Sequence, residues 1–299
     1  MYLFIINPAS GNGRAFDKWS ELQMMLRNKK IDYQFHICSS IVATNEFIER
    51  QCKLMTIKAI VIIGGDGTTH SVIQHLPYKN IPIAILPAGS GNDVCRNFGL
   101  TNDTKTFIEK LFIADSEKVD VISVNGKIGL TVVGIGLDAM IGERADHSLY
   151  KKWLNMFNIG RFAYPIAAIF ELLTFTPFQA KLLVDRQYIP TSKAWLIACG
   201  NTKKYGGGLK ICPTADPANG KLALTLLDGA HRAKVLFSLF PQLLIGKTIQ
   251  QKEVTYLSGK QFHIQTDRII PVVIDGEILP TDNITIEILP QALQIIKTV

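Results

Sequence analysis

The sequence contains no C-x-x-C pair, and its five cysteines (Cys38, Cys52, Cys95, Cys199, Cys212) are odd in number and scattered. That spacing argues against a disulfide framework and against a cysteine-ligated zinc site, and a reducing cytosol is the expected compartment. Long apolar runs are missing as well. No uninterrupted stretch approaches the ~18 residues that a membrane-spanning helix needs. Met1-Tyr2-Leu3-Phe4-Ile5-Ile6 has no basic n-region and meets Asn7-Pro8 too early for a signal peptide, so a soluble protein is expected. Neither an internal repeat nor a low-complexity linker is found. What is present is a 299-residue chain with 47% hydrophobic residues, enough for two domains with sizeable cores. It carries 32 Lys+Arg against 25 Asp+Glu, a formal charge of +7. That excess suits a nucleic acid, an anionic membrane surface or a polyphosphate ligand equally and selects none of them.

The chain is organised around Ile60-Val61-Ile62-Ile63-Gly64-Gly65-Asp66-Gly67-Thr68-Thr69, a buried-strand pattern running into a glycine turn with one carboxylate. Lacking a Cβ, Gly64 and Gly65 let the amides of the turn and of the following helix approach a phosphate. Asp66 among such amides would repel the anion unless a divalent cation lay between them, the combination that nucleotide phosphoryl transfer needs. Read locally, the same residues make an ordinary Gly/Asp turn. Strand patterns at 2–6, 33–38, 59–63 and 81–86 alternate with helical patterns at 15–28, 45–55, from about 68, 91–98 and 104–113. This alternation predicts a parallel sheet covered on both faces, with ligands at the carboxyl ends of its strands. Three polar loops fall there: Asn7-Pro8-Ala9-Ser10-Gly11-Asn12-Gly13, Gly64-Gly65-Asp66-Gly67-Thr68 and Pro87-Ala88-Gly89-Ser90-Gly91-Asn92-Asp93. Convergence on one edge favours a ligand site over three separate turns in which Asp93 merely caps a helix. Gly246-Lys247-Thr248 and Gly134-x-Gly136-x-x-Ala139 imitate a P-loop and a dinucleotide fingerprint. The first lacks its leading glycine and the second its later acidic residue, and both are read as turns.

After about residue 120 the pattern changes. Val121-Ile122-Ser123-Val124, Asn125-Gly126 and a strand over 127–133 spell a hairpin with a two-residue turn. Strand patterns follow at 180–185, 194–199, 221–227, 253–258, 261–266, 271–275, 284–289 and 292–297, so this half is expected to be mostly antiparallel. Residues 137–176 interrupt it with a helical pattern holding Leu149, Trp153, Leu154, Phe157, Phe162, Tyr164, Ile166, Ile169 and Phe170 among Lys151, Lys152 and Arg161. Core packing and contact with an anionic bilayer would each use such a stretch. Ile274-Asp275-Gly276-Glu277 places two carboxylates around a glycine at a strand end, with side chains two apart expected on one face. Asn201, Lys203-Lys204, Tyr205 and Gly206-Gly207-Gly208 read as a flexible basic loop. Asp216 and Asn219-Gly220 read as a turn, with a cation site as the alternative.

Taken together, Asn7-Pro8-x-Ser10-Gly11, Gly64-Gly65-Asp66-Gly67-Thr68, Pro87-Ala88-Gly89-Ser90-Gly91-Asn92-Asp93, Lys118-Val119-Asp120, Gly134-x-Gly136-x-Asp138 and Asp275-Gly276-Glu277 resemble the diacylglycerol kinase catalytic family, specifically its bacterial soluble lipid kinases. The resemblance runs nearly end to end. It implies an α/β nucleotide-binding domain over 1–120, with a three-layer parallel sheet. It implies a mostly antiparallel β-rich lipid-substrate domain with a helical insertion over 121–299, the last few residues free to return to the first domain, and a cleft where the two meet. The implied activity is ATP- and Mg2+-dependent, in-line phosphorylation of a lipid hydroxyl. On matching positions, Asn7, Ser10, Gly64, Gly65, Gly67, Thr68, Ser90 and Asn92 would surround the nucleotide. Asp66 would act through magnesium on the phosphates, Asp93 and Asp120 would complete the charge network at the metal, and Glu277 would be the general base. A second, structural metal would involve Asp216 and Asn219, although Asn219 stands where the family usually has Asp.

The wording Pro87-Ala88-Gly89-Ser90-Gly91-Asn92 is also similar to sphingosine and ceramide kinases, whereas Asp93 resembles the diacylglycerol branch. Diacylglycerol or a related glycerolipid is therefore the expected acceptor, with phosphatidic acid as product and phospholipid biosynthesis as the setting. NAD kinase shares the Gly-Gly-Asp-Gly-Thr turn and is the alternative outside lipid metabolism. The Asp275-Gly276-Glu277 motif, the Asn7-Pro8 loop and the basic aromatic stretch at 149–170 count against it. A non-catalytic nucleotide- or lipid-binding regulator would lack the carboxylates that are present. The expected partners are a lipid, an anionic membrane surface approached peripherally from the cytoplasmic side through Lys151, Lys152, Lys203 and Lys204, and a second copy of the chain. Nucleic acid is not among them.

Overall fold

Three apolar runs in the first part of the chain are buried along their whole length but for the half-buried Tyr2. Strands buried on both faces have no need to alternate polar and apolar residues, and these runs form β1 (Tyr2–Ile6), β3 (Ala59–Gly64) and β4 (Ile83–Pro87) of a parallel sheet. The sheet runs β4-β3-β1-β2, with β2 (Tyr33–Ile37) at its edge. Tyr2 stands opposite both Tyr33 and Ala59, and Ile60 opposite Ile83. The connections are α1 (Arg14–Asn28), α2 (Ile41–Leu54), α3 (Asp66–Ile73), α4 (Asp93–Phe98) and α5 (Thr104–Leu111). Helix α1 buries Ala15, Trp19, Leu22 and Leu26, a single stripe at helical spacing, against alternate sheet residues Phe4, Val61 and Ala84 and against Phe107 and Leu111 of α5. Asp103 starts α5 by accepting from the Thr106 backbone N–H at 2.8 Å.

This computed structural model describes residues 1–54, 56–141 and 170–298. The chain divides into two compact units, Met1–Val121 with Leu289–Val299, and Ile122–Ile288. Of the expected insertion over 137–176, residues 142–169, with Lys151, Lys152 and Arg161, lie outside the described residues. Among those described, no helix is long and apolar enough to cross a membrane.

The strands of the second part are β5 (Ser116–Val124), β6 (Lys127–Gly129), β7 (Val132–Gly136), β8 (Ala180–Val184), β9 (Gln187–Ile189), β10 (Ala194–Gly200), β11 (Leu222–Asp228), β12 (Val254–Gly259), β13 (Gln261–Ile274) and β14 (Glu277–Ile296). Antiparallel pairing runs β12-β11-β10-β7-β13-β14. Two-residue turns close the hairpins at Asn125-Gly126, Asp185-Arg186 and Asp275-Gly276, each with both residues at positive φ. That conformation matches the twist of the flanking strands, and Asn, Asp and Gly reach it at low cost. Strands expected separately at 261–266 and 271–275 are one strand, interrupted only by a register shift between Gln265 and Ile270. Likewise 284–289 and 292–297 both belong to β14, which starts in the second unit and ends in the first, beside β4.

The Gly134/Gly136 segment is strand, not turn. A Cβ on Gly134 would lie 1.8 Å from an Asp138 oxygen, and one on Gly136 2.5 Å from the Phe178 ring, so both glycines answer to close packing. Sequence periodicity also passed over a helical stretch in which α6 (Arg232–Lys234) and α7 (Phe240–Leu244) flank a π-helical turn, Val235–Leu239. Its apolar residues spread round most of the circumference and leave only a narrow polar stripe at Lys234, Ser238 and Gln242, which blurs the periodic signal.

Candidate active site

The carboxyl ends of β1, β3 and β4 each release one of the three polar loops, and the loops pack on one another through backbone. A Cβ on Gly89 would fall 2.6 Å from Gly65 Cα, and one on Gly11 would fall 2.0 Å from the Ala88 carbonyl oxygen. No side chain fits at either place, which is the physical reason for glycine there. Gly64 is tight for another reason, since a Cβ would meet Thr68 Oγ1 at 2.7 Å.

Side chains then stitch the loops together. Asn7 Nδ2 donates to Thr68 Oγ1 at 3.0 Å, joining the first loop to the second. Asp66 joins the second to the third, its Oδ2 accepting from the Asp93 N–H at 3.0 Å and its Oδ1 from the Val94 N–H at 3.2 Å. Those amides are the first of α4, so a carboxylate from another strand end serves the helix start in place of a local cap. Asn92, just before the helix, is left-handed (φ 54, ψ 41) and donates from Nδ2 to the Gly89 carbonyl at 2.8 Å. Asp93 itself pairs with Arg96, one turn on. Gly67 and Ser90 are exposed, and Ser10 is half-buried with its N–H donating to the Asn7 carbonyl at 3.0 Å.

Two contributors escaped sequence reasoning. Arg14 opens α1, where the helix dipole disfavours a cation, and that misfit was the available signal. Its guanidinium is occupied with the Gly11 and Gly89 carbonyls, both at 3.0 Å. Lys18, one turn on, donates to the Pro87 carbonyl at 3.0 Å, and burial followed by the nearby Arg14 charge lowers its pKa. Next to the cluster, burial and then the Asp66 charge push the Cys95 thiol up to about 12. That thiol is packing, not a nucleophile.

The structure corrects two expectations and keeps the turn read at Asp216 and Asn219. Asp66, Asp93 and Asp120 do not assemble as a ligand group; among the described residues no three His, Cys, Asp or Glu are arranged to hold a metal. Asp120 is buried in β5, and its Oδ1 accepts from the Gln291 N–H at 2.8 Å. Asp216 and Asn219 form turns onto Ala218 and Lys221, both at 3.0 Å, so each gives a side-chain oxygen to local backbone. Finally, Asp275 and Glu277 do not share a strand face. Asp275 sits within the hairpin turn and accepts from the Leu130 N–H (2.6 Å), the Thr131 N–H (2.8 Å) and Thr131 Oγ1 (2.5 Å). Glu277 is the first residue of β14 and is exposed. The glycine loop at 206–208 is tied rather than loose, since Tyr205 and Leu209 exchange backbone hydrogen bonds and the Tyr205 hydroxyl donates to Asp138.

Two family models match the chain in succession, the diacylglycerol kinase catalytic domain over residues 1–124 and the YegS C-terminal NAD kinase beta sandwich-like domain over residues 131–297. The chain belongs to the diacylglycerol kinase family of lipid kinases. This kinase is 30% identical to a diacylglycerol kinase of Mycobacterium tuberculosis, over 98% of this chain and 94% of that one. In fold it is similar to the crystal structure of a diacylglycerol kinase from Bacillus anthracis (TM-score 0.75, 21% identity, 99% and 96% of the two chains). The fold of yeast NADH kinase, solved with NADH, is a more distant match at TM-score 0.54 and 11% identity, over 99% and 82%.

The residues at the three loops fit a nucleotide carrying magnesium. Asn92 Oδ1 is buried without a hydrogen-bond partner, an oxygen acceptor left over beside the Asp66 carboxylate loop. Magnesium takes oxygen ligands and is commonly held by only one or two carboxylates together with substrate phosphates, so the kinase needs no all-protein cage for it.

Proposed function

We propose that this kinase transfers the γ-phosphoryl group of ATP to the hydroxyl of a membrane lipid, diacylglycerol or a related glycerolipid, with magnesium and a carboxylate base. The observation that carries the reading is the fusion of three glycine-bearing strand ends into one rigid cluster by Asp66 and Asn7, in a chain of lipid-kinase family. Rigid, glycine-lined backbone suits a polyphosphate, because amides can approach it closely and need no reorganisation. In this reading Asn7, Ser10, Gly64, Gly65, Gly67, Thr68, Ser90 and Asn92 surround the nucleotide, and Asp66 and Asp93 supply negative charge for its cation. When bound, the cation neutralises phosphate charge and keeps the transferred group oriented.

Glu277 is the proposed general base. Of the two carboxylates in its motif, Asp275 is occupied by three hydrogen bonds that hold the hairpin, whereas Glu277 is exposed and one methylene longer. It takes the proton as the lipid oxygen attacks, a role typically worth about 10²–10⁴-fold. The membrane is proposed as a peripheral, anionic partner met from the cytoplasmic side, in keeping with the +7 charge.

Labelled ATP and magnesium, offered with a panel of lipids in mixed micelles and NAD as soluble competitor, test the reading. Label in a glycerolipid is expected. Label in NAD overturns it in favour of the activity suggested by the likeness to the NADH kinase fold.

A further inference from the structure

The helical stretch from α6 to α7 presents apolar side chains on two sides. On one side Val235, Leu239, Phe240 and Leu243 line a cavity of the second unit, about 680 Å³ counted out to its open mouth. On the other, Phe237 is 78% exposed, Leu244 41% and Ile245 68%. Phe237, Pro241, Leu244 and Ile245 follow one another at helical spacing, so the bare side chains form a stripe and not scattered points. From Gly229 to Lys252 the sequence holds no Asp or Glu, but four cations: Arg232, Lys234, Lys247 and Lys252. Two of these are engaged. Arg232 donates to the Leu172 and Phe175 carbonyls and lies over the Trp195 ring, fixing the start of the stretch to the unit. Lys234 pairs with Glu253 at 2.7 Å. Lys247 and Lys252 are exposed, Lys247 two residues beyond Ile245.

We propose that Phe237, Leu244 and Ile245 dip into an anionic lipid bilayer and that this tip is a membrane-docking element of the kinase. The inference rests on the lipid-kinase reading, which puts the substrate in a bilayer, and places docking outside the segment 149–170 singled out in the sequence. An apolar stripe flanked by lysines and free of acids is complementary to apolar chains beneath anionic headgroups.

The test is co-sedimentation with vesicles of phosphatidylcholine containing phosphatidylglycerol, read without turnover. The combined variant Phe237→Ser, Leu244→Ser and Ile245→Ser is expected to lower partitioning at least ~10-fold, given the apolar area it removes. Lys247→Glu is expected to lower it in phosphatidylglycerol vesicles and not in pure phosphatidylcholine. Ile113→Ser, at a residue of the first unit that is 77% exposed, is expected to leave binding unchanged. Ile245→Asp alone gives a second measure if the combined variant folds poorly. Parental binding by both tip variants overturns the proposal. So does a tip variant that loses only self-association, which would make the stripe a contact between copies. If no lipid is labelled by ATP while the tip variants still lose vesicle binding, the docking element stands and the substrate reading falls.

Discussion

Asp66 holds the backbone of Asp93: a carboxylate at the end of β3 accepts the first amide of a helix that begins 27 residues later. One side chain therefore has two duties, carrying charge for the proposed cation and fixing the loop that faces it. Asp66→Asn keeps the size but removes the charge and turns one acceptor into a donor aimed at an N–H. Phosphoryl transfer should collapse, and α4 should loosen as well. Hydrogen exchange of the Asp93 and Val94 amides separates the two effects: near-normal turnover in Asp66→Asn would end the assignment to catalysis, whereas unprotected amides would show the structural share.

The pair Gly65 and Gly89 leaves no room for a methyl group, since the intruding Cβ of Gly89→Ala would meet backbone at 2.6 Å. Backbone cannot swing aside as a long side chain can, so overpacking here should cost about 1–3 kcal/mol. ATP binding should weaken in step. A Gly89→Ala variant with parental thermal midpoint and ATP affinity would contradict the fused-loop description.

Glu277→Gln retains shape and hydrogen bonding but cannot accept a proton. Turnover is expected to fall at least ~100-fold with the ATP Michaelis constant little changed, as for an interaction made mainly in the transition state. Asp275→Asn should behave differently. It disturbs a carboxylate with three donors, so stability is expected to drop by roughly 2–3 kcal/mol by urea unfolding, with activity following stability. A reversal of the two phenotypes would reassign the base to Asp275.

Acid should weaken the first unit. Burial holds His36 and His75 below the ordinary value of 6.5, and His75 Nε2 is buried without a partner. As pH falls through about 6.5 the unfolded chain takes up protons that the folded chain refuses, so stability is full above that pH and declines below it. The urea midpoint measured between pH 7.5 and 5.5 should fall, with His36→Gln flattening the slope. A midpoint that rises over this window would contradict the burial of both rings.

The convergence of the three loops could be read from the residues because glycine and carboxylate positions reflect local constraints that sequence displays. Gly64-Gly65-Asp66 follows an uninterrupted apolar strand, and the carboxyl end of such a strand is where an open α/β sheet gathers its ligands. What sequence hid were the long-range partners. Nothing local shows that Asp66 reaches the Asp93 amide, that Asp275 is taken by Thr131, or that Asp120 is committed to Gln291, because each bond depends on strand order. The helical stretch at 232–244 escaped for another reason, since apolar residues round most of its circumference blur the period that marks a surface helix.

The route of the chain has a consequence for biosynthesis. Residues 289–299 belong to the first unit, where Ile295 stands opposite Ile83, the Tyr78 amide donates to the Ala292 carbonyl and the Thr101 amide to that of Thr298. They are translated only after the whole of Ile122–Ile288. On the ribosome the sheet bearing the three loops therefore waits, one strand short and with the flank of β4 open, until the second unit has emerged. An open strand edge invites wrong pairing. The loops that would hold ATP are made before the second unit, and the strand end that completes their sheet only after it.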